Sequence, residues 1–150
     1  MKLTHRVPVA ADPERVWSYV VDVVRVAGCV PGVEQVESLG NDRYRGVLKV
    51  SIGPIKLKLA GDISITQRDD AAHTATMHAA GADAGAGGSV EADVRMTVKP
   101  GATAGTAIVD IDTDAQVMGR IGEFGQPLIK RKADQTMTEF AANLSRAFVA

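Results

Sequence analysis

The chain has 150 residues, 45% of them hydrophobic, the size of one domain able to bury roughly 70% of its unfolded surface. Lys plus Arg total 17 and Asp plus Glu 18, a formal charge of −1, which excludes a nucleic-acid binder held by overall charge. The single Cys29 excludes an internal disulfide, no signal peptide or run of roughly 18 apolar residues is recognisable, and the expectation is a cytoplasmic protein that meets membranes only at their surface.

Residues 3–9 alternate, with Leu3, His5, Val7 and Val9 on one face and Thr4 and Arg6 on the other, which predicts a first strand. The period then changes. Asp12-Pro13 fits an N-cap followed by proline in the first helical turn, Asp22 fits a second cap, and two short helices are expected over residues 13–28. The turn Cys29-Val30-Pro31-Gly32 returns the chain to strand. Residues 34–39 and 43–52 flank Gly40-Asn41-Asp42 as a hairpin.

The next hairpin can be registered from its turn. Gly53-Pro54 suits a two-residue connection, so Ile52 should face Ile55, Val50 Leu57, Leu48 Leu59, Gly46 Gly61 and Tyr44 Ile63. The other face then carries Ser51 with Lys56, Lys49 with Lys58 and Arg45 with Asp62, a sorting that a slip of one residue would destroy. Residues 73–80 continue as strand with Ala75, Met77 and Ala79 inward, residues 81–88 read as a loose small-residue loop, and two more strands carry Val90, Val94, Met96 and Val98, then Val109, Ile111 and Val117.

From Ile129 an apolar stripe runs through Ala133, Met137, Phe140, Leu144 and Phe148 at helical spacing. Ile121, Phe124 and Leu128 form a separate stripe, and the phase breaks at Gly125-Gln126-Pro127, where proline starts or kinks a helix. The expected class is α+β: one domain over residues 1–150, with a curved antiparallel sheet of about seven strands wrapped around a long C-terminal helix and two short helices after strand 1. This is a helix grip.

Small inward residues, Gly46 opposite Gly61 and then Ala75, Ala79 and Ala92, let such a sheet bend and leave room under the helix. The expected apolar cavity is lined by Trp17, Leu48, Leu57, Leu59, Met77, Met96, Ile111 and Met137, with Phe124 and Leu128 at its mouth or on an exposed contact patch. Catalytic signals are weak. His73 and His78 differ by five positions and fall on opposite strand faces, and Cys29 reads as a small buried thiol. Asp110, Asp112 and Asp114 share a solvated outer face, and residues 81–88 lack the Lys-Ser/Thr of a phosphate loop. No catalytic residue, metal ligand or covalent cofactor is assigned. His5 and Tyr44 are the inward acid/base candidates for the alternative, a cyclase- or hydrolase-like enzyme acting on an apolar or aromatic substrate.

Asp12-Pro13-Glu14-Arg15-Val16-Trp17, Cys29-Val30-Pro31-Gly32-Val33-Glu34, Val50-Ser51-Ile52-Gly53-Pro54-Ile55-Lys56, Gly85-Ala86-Gly87-Gly88-Ser89 and Gly119-Arg120-Ile121-Gly122-Glu123-Phe124-Gly125 together resemble the carbon monoxide dehydrogenase CoxG family of the START/Bet v 1-like (SRPBCC) superfamily. The resemblance spans nearly the whole chain. It implies a hydrophobic cavity between sheet and helix, no catalytic triad, and a bound quinone or lipid as ligand. It also implies a molybdenum carbon monoxide dehydrogenase or related hydroxylase as partner, and transient contact with the inner membrane.

Overall fold

The computed structural model describes residues 1–148 apart from residues 84 and 86. Strand β1 (Lys2–Val9) leads into helices α1 (Pro13–Val20) and α2 (Val23–Ala27). Six strands follow: β2 (Val33–Gly40), β3 (Arg43–Ile52), β4 (Ile55–Asp69), β5 (Thr74–Asp83), β6 (Gly88–Pro100) and β7 (Ala107–Gly119). A 3₁₀ turn (Arg120–Phe124) and helix α3 (Gln126–Ala147) complete the helix grip.

All neighbouring strands are antiparallel, in the order β1-β7-β6-β5-β4-β3-β2, so the first two strands of the chain are the two edges of the sheet. The β3–β4 register is the one read from the Gly53-Pro54 turn, from Ile52 opposite Ile55 through Tyr44 opposite Ile63. Gly53 adopts φ +57, which that turn requires. At Gly61 the backbones approach closely: a Cβ there would overlap the Ala80 carbonyl oxygen. The inward glycines therefore serve strand contact as well as curvature.

Three local expectations are corrected. Residues 81–88 are not all loop: β5 continues to Asp83 and β6 begins at Gly88, with Gly81 opposite Val90 and Ala82 opposite Ser89. Small residues carry no apolar/polar contrast, so their pairing leaves no trace in hydropathy; residues 84 and 86 of that stretch lie outside the described residues. Asp12 stands at the N-cap of α1, yet its carboxylate makes no capping bond, and Pro13 alone marks the start; Asp22 does cap α2, accepting from the Arg25 N–H. The C-terminal helix begins at Gln126, because Pro127 in the first helical turn costs no hydrogen bond.

Two apolar groups fill the grip at opposite ends of β6 and β7. The larger joins Val7, Val9, Val16, Trp17, Val20, Met96, Val98, Val109 and Ile111 to Phe140 and Leu144 of α3. The smaller is Ile52, Leu57 and Ile121, with Leu59, Val90, Val117, Phe124 and Leu128 packed against it. Among the described residues no helix is long and apolar enough to cross a membrane.

Candidate functional site

Between the two apolar groups runs a belt of small side chains. Ala79 on β5 faces Ala92 on β6, which faces Ala115 on β7, and Gly61 faces Gly81 one step along. Over this belt α3 is incompletely covered: Leu128, Ile129, Ala133 and Met137 are only half-buried, whereas Phe140 and Leu144 further along are buried. The inward residues of β3 and β4, including Leu48, Val50, Leu59 and Ile63, are half-buried as well. A helix that leaves its own apolar stripe and the opposing strands partly uncovered does not fill the space between them.

The expected cavity residues divide between the two groups. Trp17, Met96 and Ile111 are buried in the larger one, with Met77 and Met137 against it. Leu57 is buried in the smaller one, with Leu59, Phe124 and Leu128 against it. Leu48 belongs to neither and lies beside Gly32. Phe124 and Leu128 thus stand apart from the larger core.

The two flanks of α3 meet the sheet differently. On the β1 side, Asp134 Oδ1 lies 2.8 Å from His5 Nε2, and this bond, with help from Lys130, holds the Asp134 carboxyl below its ordinary value. The His5 Nδ1 is buried with no hydrogen-bond partner. With Nε2 donating to the carboxylate, Nδ1 is left as an acceptor. Among the described residues no hydrogen bond joins His5 to Tyr44. On the β3 side, α3 and the sheet are separated by an open cleft of about 440 Å³ lined by Pro31, Gly32, Lys49, Val50, Ser51, Lys132, Gln135, Thr136, Thr138 and Glu139.

The turn that borders this cleft is fixed by geometry. Gly32 has φ +89, its carbonyl accepts from the Lys49 N–H at 2.8 Å, and a Cβ would overlap the Lys49 carbonyl oxygen. Asn143 Nδ2 donates to the Cys29 carbonyl at 2.9 Å, tying the end of α3 to the same turn. Cys29 itself is buried beside the Tyr19 hydroxyl, and this bond with burial raises the Tyr19 pKa.

The other histidines lie away from the concave face. His73 stacks on Trp17 and bonds Glu14, while Trp17 Nε1 donates to Asp70 at 2.9 Å, so both residues clamp α1 to the β4–β5 turn. His78 sits on the outer face between Asp93 and Glu91, and the hydrogen bond to Asp93 with both negative charges raises its pKa. No group of three or more possible metal ligands occurs among the described residues. The charged outer rows are substantially cross-paired: Glu34 with Lys49 and Lys58, Asp62 with Arg45, and Asp110 with Arg6 and Lys99.

A family model describing CoxG, the G-type component of carbon monoxide dehydrogenase, matches residues 6–149. The chain belongs to the CoxG family. Among solved structures, this CoxG-family chain is similar to a conserved protein from Geobacillus kaustophilus at TM-score 0.87 and 20% identity, over 98% of this chain and 94% of that one. It is similar to a START superfamily protein from Mycobacterium smegmatis at TM-score 0.67 and 16% identity, over 97% and 95%. The Zhui aromatase/cyclase from Streptomyces sp. R1128 matches at TM-score 0.65 and 15% identity, over 98% and 92%. No relative is found among curated proteins. Family and fold together suggest a ligand-binding role.

Two parts of this CoxG-family site escaped sequence reasoning, Asp134 on one flank of α3 and the polar line Lys132, Thr136 and Glu139 on the other. Their signal is the spacing. Positions 132, 136 and 139 step by four and three and border the stripe of Ala133, Met137 and Phe140 on one side; Asp134 borders it on the other.

Proposed function

We propose that this CoxG-family chain is a non-catalytic carrier that holds an apolar, quinone- or lipid-like ligand between sheet and α3. It assists or recruits a carbon monoxide dehydrogenase-type molybdenum hydroxylase at the inner face of the membrane. The observation that carries the reading is the belt Ala79, Ala92 and Ala115 between two apolar groups, beneath a helix whose stripe is half-exposed there. Such a site binds mainly by apolar burial, about 25 cal/mol per Å², with few polar groups to orient the ligand. Family membership supports the choice of partner and the transient membrane contact. Neither metal nor covalent cofactor is required. Organic-solvent extraction of the purified protein followed by mass spectrometry should release a lipid or quinone; repeated absence of any, with no binding on titration, would sink the proposal.

A second reading, an enzyme acting on an apolar or aromatic substrate, draws on His5, whose Nε2 meets Asp134 while Nδ1 has no partner. A histidine so oriented has the features of a general base. Turnover of such a substrate that disappears in His5→Gln while ligand affinity persists would favour this reading over a carrier.

A further inference from the structure

We infer that the cleft between β3 and α3 seats the polar end of the ligand, and that Lys132 is the donor that holds it. The ligand is then an amphiphile whose head offers an oxygen acceptor, a carboxylate or a carbonyl. This rests on the carrier reading and adds to it an entrance and a head-group chemistry.

Lys132 is half-buried in the cleft wall, and among the described residues no carboxylate is within ion-pairing distance of it. The nearby charges do not neutralise it. The Lys49 ammonium is engaged by Glu34 at 2.8 Å. Glu139 lies seven positions further along α3, about 10 Å along the axis. A partly desolvated ammonium without a partner favours an acceptor strongly, since charge-assisted hydrogen bonds are about twice as strong as neutral ones.

The remaining polar groups of the cleft are biased toward donation. The hydroxyls of Thr136 and Thr138 spend their protons on the Lys132 and Asp134 carbonyls, one turn back. Ser51 and Gln135 retain donors, and Lys132 has only donors. The floor of the cleft opens toward apolar surface: Val50 lines the cleft and also packs on the smaller apolar group, Leu48 adjoins Gly32, and Met137 follows Thr136 on the helix. A tail entering here therefore passes from a donor-rich rim to the small-residue belt.

Four fluorescent probes with the same apolar body separate the possibilities: diphenylhexatriene, its propionic acid, the methyl ester of that acid, and its trimethylammonium derivative. Titration of the intact protein should show the acid and ester binding more tightly than the bare hydrocarbon, and the cation most weakly. Lys132→Met should weaken the acid by on the order of tenfold and the ester by less, leaving the hydrocarbon unchanged, and Lys132→Arg should restore the acid. A larger loss for the acid assigns a carboxylate head; equal losses for acid and ester assign a carbonyl. If Lys132→Met leaves both affinities intact, or weakens all four probes alike, the cleft is not the head-group seat although the carrier reading stands. If none of the probes binds the wild-type protein, the carrier reading falls and takes the cleft assignment with it.

Discussion

His5 on the first strand and Asp134 on the last helix meet at 2.8 Å, joining parts of the chain 129 residues apart. The pair lies on the flank of α3 opposite the cleft, so the helix is held to the sheet on one side and stands off it on the other.

That pair gives α3 a pH dependence. Its hydrogen bond from His5 lowers the Asp134 pKa from the ordinary 3.8, so the associated stability is present above that value and is lost as pH falls through the lower folded-state value. Urea midpoints followed from about pH 7 to about pH 2 should show Asp134→Asn less stable than wild type at the upper end and converging with it at the lower. A constant difference across the range would deny the pair this role.

His78 should act in the opposite sense. Asp93 and Glu91 raise its pKa above 6.5, so its contribution is complete below 6.5 and disappears as pH rises through the folded-state value. The melting temperature of His78→Gln should fall short of wild type near about pH 5.5 and match it near about pH 9. The comparison is a pair of thermal scans monitored by circular dichroism.

Leu144 and Leu128 separate stability from binding. Leu144 is fully buried in the larger apolar group, and Leu144→Ala should cost about 2–5 kcal/mol in urea denaturation. Leu128 is half-buried on the smaller group near the small-residue belt, so Leu128→Ala should cost less than about 2 kcal/mol and weaken diphenylhexatriene binding. Equal destabilisation by the two would place Leu128 in the structural core.

Two glycines make a matched test of strand contact. Gly40 has φ +82 with open space where a Cβ would stand, so Gly40→Ala should cost only about 1 kcal/mol of backbone strain. At Gly61 the new methyl meets the Ala80 backbone, and Gly61→Ala should cost about 3 kcal/mol or more. Denaturant unfolding of both variants decides whether close approach, beyond local conformation, requires glycine at position 61.

The sequence revealed pairing where side chains differ and missed it where they do not. Alternation and the Gly53-Pro54 turn specified β3 against β4 to the residue, and the stripe from Ile129 to Phe148 located the helix that covers the sheet. The same method stopped at Ala80, because Gly81 and Ala82 look alike from either face. At the site, apolar residues were legible as a set, but their division into two groups depends on how far apart the ends of β6 and β7 lie. The cleft was invisible for another reason. Lys132, Thr136 and Glu139 resemble any solvated helix flank until Gly32 is seen to carry its turn onto Lys49 across from them.

The order β1-β7-β6-β5-β4-β3-β2 also sets the sequence of assembly. Strands β2 to β7 can form as successive local hairpins, but β1 waits for a partner more than a hundred residues away, with Lys2 opposite Asp114. Closing that pairing carries a large loop entropy before it returns any contact. During synthesis the first strand therefore emerges early and remains unpaired until β7 has formed, and only then can its His5 meet the helix that finishes the fold.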